Sequence, residues 1–151
     1  MTYLKFINED LKLTNKLKAL EKRVFVASDL IYETLKKNSK IFICGNGGSA
    51  ADAEHLSAEF LVRLRPKVNR KPLPVIALTQ GVSTITACSN DYSYHDIFKR
   101  NFEAMSNSDD LLICLSTSGN SESIRRVLNF SKKKKNKSLV FLVAKKVSVM
   151  E

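Results

Sequence analysis

Four short stretches that are apolar at every position decide what this chain can fold into. They are Ile41-Phe42-Ile43-Cys44, Val75-Ile76-Ala77-Leu78, Leu111-Leu112-Ile113-Cys114-Leu115 and Leu139-Val140-Phe141-Leu142-Val143. A strand with one wet face alternates apolar and polar residues, so an unbroken run has both faces buried. Between the runs, apolar residues recur three and four apart, the spacing of helices. That spacing predicts helices over 49–62, 83–88, 96–105 and 121–130, with Ser49 as the N-cap of the first and a basic, proline-containing loop over 63–74. Residues 8–37 read as helix throughout, with Leu11, Leu17, Val24, Leu30 and Leu35 among the recurring positions. Strands alternating with helices make an α/β fold, a parallel sheet covered on both faces. In such a sheet the ligand sits outside the carboxyl ends of the strands.

With 151 residues, the chain suits one domain, an N-terminal helical segment over 1–38 and an α/β core over 39–151. No apolar run reaches the roughly 18 residues of a membrane span. The first eight residues lack the apolar centre of a secretion signal, so a cytoplasmic protein without membrane contact is expected. Three cysteines, none in a CxxC pair, argue against a disulfide framework or a structural zinc site, and Cys44 and Cys114 are expected in the core. The net charge of +10 points to an anionic partner. The lysine run 132–135 is expected to be a solvated helix end. No aromatic residues interleave with it, which argues against nucleic acid as the partner.

Two stretches of unusual chemistry follow strands directly. Gly45-Asn46-Gly47-Gly48-Ser49 holds three of the five glycines of the chain, which lets the backbone turn sharply and bring its N–H groups near a ligand. Ser116-Thr117-Ser118-Gly119-Asn120-Ser121 places four hydroxyls at the start of a helix, where they and the free N–H groups make an anion site. One serine would satisfy a helix cap, so the others need another purpose. On helix 49–62, His55 and Glu59 are four residues apart and share a face, with Asp52 nearby. Such a pair can ligate a metal or move a proton, although a plain surface pair is the commoner use of this spacing. Asn90-Asp91 is expected in the loop after the short helix, either as a turn or reaching sugar hydroxyls.

CGNGGSAADAEH (44–55), LSAEF (56–60), SNDY (89–92) and LSTSGNS (115–121) together resemble the phosphoheptose isomerases of the sugar isomerase (SIS) family. The resemblance runs over about residues 1–143. It implies a flavodoxin-like fold and a homotetramer built partly by the N-terminal helices. It implies conversion of the phosphorylated sugar sedoheptulose 7-phosphate to glycero-manno-heptose 7-phosphate, on the way to ADP-heptose and lipopolysaccharide. By the same resemblance Ser116, Thr117, Ser118 and Ser121 bind the phosphate. Asn46, Gly47 and Gly48 contact the sugar, and Asn90 and Asp91 hold its hydroxyls. His55 and Glu59 match zinc ligands, one ion per subunit, and Glu59 also matches the catalytic base. The initiator-associating proteins of bacterial replication share the core and are the alternative, a non-catalytic module that binds a sugar phosphate or a replication initiator.

The resemblance also implies a further strand and a long helix after 139–143, carrying a Gln and a His that complete the zinc site. Ala144 to Glu151 offers no counterpart, so the zinc site and the C-terminal part of the core are expected to be incomplete. The change of character after Val143 is what a shifted reading frame near residue 144 would produce, and a shortened or fragmentary chain would look the same. A last strand left without its covering helix is expected to expose an edge.

Overall fold

Burial explains the four apolar runs. In a computed structural model, which describes residues 2–79, 81–142 and 148–150, every residue of β1 (Ile41–Gly45) is buried. Most residues of β2 (Val75–Ala77) and β3 (Leu111–Ser116), and three of the six in β4 (Lys137–Leu142), are buried as well. These four strands are parallel, and β5 (Ser148–Met150) pairs antiparallel with β4, giving the order β2-β1-β3-β4-β5. That order is the flavodoxin-like one. The outer edge of β4 is therefore paired over Ser138–Val140 rather than open, contrary to expectation. Val143, placed by the sequence in the fourth strand, lies outside the described residues.

The side-chain period of two sends alternate residues to opposite faces. Phe42, Cys44, Leu112 and Cys114 pack on one face with α5 (Ile97–Met105) and α6 (Glu122–Lys133), through Phe98, Phe102, Ile124 and Val127. Ile41, Ile43, Leu111 and Ile113 pack on the other with α2 (Glu21–Lys36) and α3 (Gly48–Leu61), through Ala27 and Ala53. The two cysteines are core residues, as expected. Their Sγ atoms lie 3.4 Å apart across β1 and β3, and burial, with the neighbouring Cys114, pushes the Cys44 thiol pKa well up. Such thiols are inert fillers.

Helix boundaries differ from the sequence reading where no Gly or Pro marks them. The segment expected as one helix over 8–37 is two. Here α1 (Tyr3–Leu17) starts at Thr2, whose side chain accepts from the Lys5 N–H, and a 3-10 turn over Lys18–Leu20 separates it from α2. No residue of α1 is buried, and Leu4, Phe6, Leu11, Leu13 and Leu17 are all more than half exposed. The helix expected over 83–88 is α4 (Val82–Asp91), which runs on until Tyr92 donates its N–H to the Cys88 carbonyl. A 3-10 turn over Tyr94–Asp96 leads into α5. Helix α6 extends past Phe130, so Lys132 and Lys133 occupy its last turn, where they favour the helix dipole. No described helix is long and apolar enough to cross a membrane.

Candidate functional site

Strands β1 and β3 are neighbours in register, Cys44 beside Cys114 and Gly45 beside Leu115. The glycine loop and the serine loop therefore leave the carboxyl edge of the sheet side by side. Glycine is required at 45 because a Cβ there would stand 2.5 Å from the Ser49 carbonyl oxygen. It is required at 47 because φ is +57°. Gly47 is also the N-cap of α3, without any side-chain bond, so Ser49 lies inside the first turn and is not the cap expected.

In the serine loop, Ser116 is buried and its Oγ accepts the Gly119 N–H at 3.0 Å. Ser118 Oγ accepts the Asn120 N–H at 3.2 Å, and Gly119 takes a φ of +70°. These bonds fold the loop back over the start of α6. Thr117 and Ser118 are exposed. Ser121 is the N-cap residue of α6 but its hydroxyl makes no capping bond. The first N–H groups of a helix have no acceptor within it, so an anion is favoured there.

Asn46 joins the two loops. Its Nδ2 donates to Ser121 Oγ at 2.8 Å and to Ser123 Oγ at 3.0 Å, and its Oδ1 accepts the Tyr94 hydroxyl at 2.8 Å. The two serine hydroxyls are 3.0 Å apart. Sequence reasoning missed Ser123 and Tyr94. The nearness of Ser123 to the hydroxyl cluster was a usable clue. For Tyr94 there was none, since it is 48 residues from Asn46.

The other expected residues stand apart from this network. Asn90 and Asp91 close the last turn of α4 and are not in a loop; Asn90 Nδ2 donates to Asp91 Oδ1 at 2.9 Å, and both are exposed. His55 and Glu59 share the outward face of α3, with Nε2 and Oε1 3.8 Å apart and Glu59 the less exposed. The opposite face is fixed by the buried Ala53 and by Ser57, whose Oγ donates to the Val75 carbonyl. Arg70 donates to the carbonyls of Glu59 and Phe60 and so closes the end of α3. From Gly48 to Glu59 the helix rises about 16 Å. The carboxylate is thus well removed from the two loops within one chain.

A zinc centre needs three or four protein ligands. Among the described residues no group of three His, Cys, Asp or Glu side chains is placed to hold a metal. His55 and Glu59 alone do not fit such a centre. A cavity of about 710 Å³ between α2 and α6, lined by Leu30, Leu128, Lys132 and Lys137, opens at the amino end of β4 and is far from both loops.

Comparison with known proteins agrees with this architecture. The family model described as "SIS domain" matches residues 3–138. The chain is 44% identical over 119 residues to the phosphoheptose isomerase of Chlorobaculum tepidum, covering 79% of this chain and 57% of that one. It is 48% identical over 108 residues to that of Campylobacter concisus, covering 72% and 56%. The chain thus spans about half the length of the curated relatives it matches. The solved phosphoheptose isomerase of Francisella tularensis superposes with a TM-score of 0.80 at 31% identity, covering 94% of this chain and 76% of that one. That of Neisseria gonorrhoeae gives 0.76 at 28%, covering 93% and 75%. With 3–138 matched and the fold shared, the chain belongs to the SIS domain family.

Proposed function

We propose that this chain is an aldose–ketose isomerase acting on sedoheptulose 7-phosphate; the relatives it matches are named phosphoheptose isomerases. The observation that carries this is the serine loop folded over the start of α6 and tied by Asn46 to the glycine loop. In this reading the phosphate takes hydrogen bonds from Thr117, Ser118 and Ser121 and from the first N–H groups of α6, while Ser116 shapes the loop. Such a site holds the anion without a fixed positive charge, which lets the product leave. Gly47 and Gly48 approach the sugar through their backbone, and Asn90 with Asp91 takes its hydroxyls.

Glu59 removes a proton from carbon 1 of the ketose and returns it to carbon 2, through an enediol in which the carbon 2 oxygen takes a proton from water and the carbon 1 hydroxyl gives one back to water. The phosphate supplies binding energy remote from the reacting carbons and orients them. The product, glycero-manno-heptose 7-phosphate, would feed synthesis of surface heptose in the cytoplasm.

The test is incubation of the purified chain with sedoheptulose 7-phosphate in heavy water. Aldose heptose phosphate labelled at carbon 2 is the expected product, and binding without any label or product would reject the isomerase. That second outcome belongs to the alternative, a non-catalytic sugar-phosphate or replication-initiator module. The exposed apolar residues of α1 favour burial against further copies of the chain, and the proposed assembly is a homotetramer. Light scattering should give four times the chain mass of 17.0 kDa, and a monomer would refute it.

A further inference from the structure

We propose that Tyr94 and Ser123 are positioning residues that keep the phosphate loop in register with the glycine loop by acting on Asn46. This rests on the sugar-phosphate reading of the site. An asparagine amide has two N–H donors and one carbonyl. In Asn46 both donors go to Ser121 and Ser123 and the carbonyl takes the Tyr94 hydroxyl, so all three groups are engaged by protein. The side chain therefore works as a strap across three separate pieces of chain, the β1–α3 loop, the start of α6 and the 3-10 turn over Tyr94–Asp96.

Two of those pieces are joined independently. Arg126 of α6 donates to Asp96 at 2.8 Å, holding the 3-10 turn against α6, and to Glu122 in the first turn of α6 at 3.2 Å. The turn and the helix thus present Tyr94 and Ser123 to Asn46 as one rigid unit. Neither residue is arranged to meet the ligand through its polar atom. Ser123 is only 1% exposed, and the hydroxyl proton of Tyr94 is given to Asn46. Their influence on an anion at Thr117, Ser118 and Ser121 must pass through Asn46 and the hydroxyl of Ser121, which Asn46 and Ser123 both touch.

The experiment titrates inorganic phosphate and sedoheptulose 7-phosphate calorimetrically into the unmutated chain, Tyr94→Phe, Ser123→Ala, Asn46→Ala, and each of the first two changes combined with Asn46→Ala. Tyr94 is a half-exposed surface residue, so Tyr94→Phe removes one hydroxyl without opening the core. Each single change is expected to weaken both ligands by about three- to tenfold, the worth of one neutral hydrogen bond. The factor should be the same for phosphate and for the sugar phosphate, because the strap acts at the phosphate end. With Asn46→Ala already present, Tyr94→Phe should weaken binding no further and Ser123→Ala should lose only the part carried by its direct contact with Ser121, since residues that act through one partner are not additive. A merely structural role would give additive losses in that background, and additive losses overturn the proposal. So does undiminished binding by Tyr94→Phe, or a loss confined to the sugar phosphate, which would mean that Tyr94 touches the sugar. If the unmutated chain binds neither ligand, the sugar-phosphate reading itself fails and the proposal with it.

Discussion

Glu59→Gln is expected to lower kcat for sedoheptulose 7-phosphate by about 10²–10⁴-fold, the usual contribution of a positioned general base. The substitution keeps the length and shape of the side chain but removes the carboxylate that accepts the proton. It should not disturb the fold. Glu59 faces outward from α3, its side chain is 26% exposed, and its neighbour His55 is 3.8 Å away and largely in solvent. The α3 backbone at this point is held by Arg70 through main-chain carbonyls, which the substitution leaves in place. Binding should survive as well, because Glu59 is about 16 Å along α3 from the glycine loop, beside which the phosphate loop leaves the sheet. The expected kinetic pattern is therefore an equal fall in kcat and kcat/KM, the mark of an interaction made in the transition state. Steady-state assays with both proteins decide it. Undiminished turnover by Glu59→Gln removes Glu59 from the mechanism, and a rise in KM alone makes it a binding residue.

The parts legible in the sequence were those written in local pattern. The strands were visible because both faces of the sheet are covered, which leaves no polar position in Phe42-Ile43-Cys44 or Leu111-Leu112-Ile113-Cys114. The loops were visible because their chemistry is concentrated: three glycines after β1 and four hydroxyls after β3. Helix ends were less legible. Asn90 and Asp91 have the composition of a turn, yet α4 continues through them, because its packing outweighs propensities of a few tenths of a kcal/mol per residue. The break between α1 and α2 carries no Gly or Pro at all. Tyr94 stayed hidden for a different reason. Its role depends on Asn46, and only the sheet brings the carboxyl end of β1 to the turn before α5. Lys40 and Asp110 stayed hidden in the same way, 70 residues apart.

That pair carries the largest expected loss of stability. Asp110→Ala should cost about 3 kcal/mol, out of the roughly 5–15 kcal/mol that holds a domain of this kind folded. Asp110 is 2% exposed and ends the turn before β3. One carboxylate oxygen accepts the Lys40 backbone N–H at 2.7 Å, and the other accepts the Asn107 N–H at 2.8 Å and pairs with Lys40 Nζ at 2.9 Å. Its carbonyl, with those of Asn107 and Ser108, takes the amide of Asn136 just before β4. One residue thus binds together the amino ends of β1, β3 and β4. Alanine leaves two N–H groups without their charged acceptor. The ion-pair part of the loss is tempered, because the Lys40 side chain is 28% exposed and can turn to water. For that reason the estimate sits at the low end for a broken buried pair. Asp110→Asn retains one oxygen for one N–H group and should cost less, about 1–2 kcal/mol. Urea unfolding of the three proteins measures this, with the order unmutated, Asn, Ala and a common slope. An alanine variant within about 0.5 kcal/mol of the original, the range of an ordinary surface change, would show that water replaces the carboxylate at no cost. Because Asp110 lies at the opposite end of the strands from both loops, turnover per folded molecule should be unchanged even as the folded fraction falls.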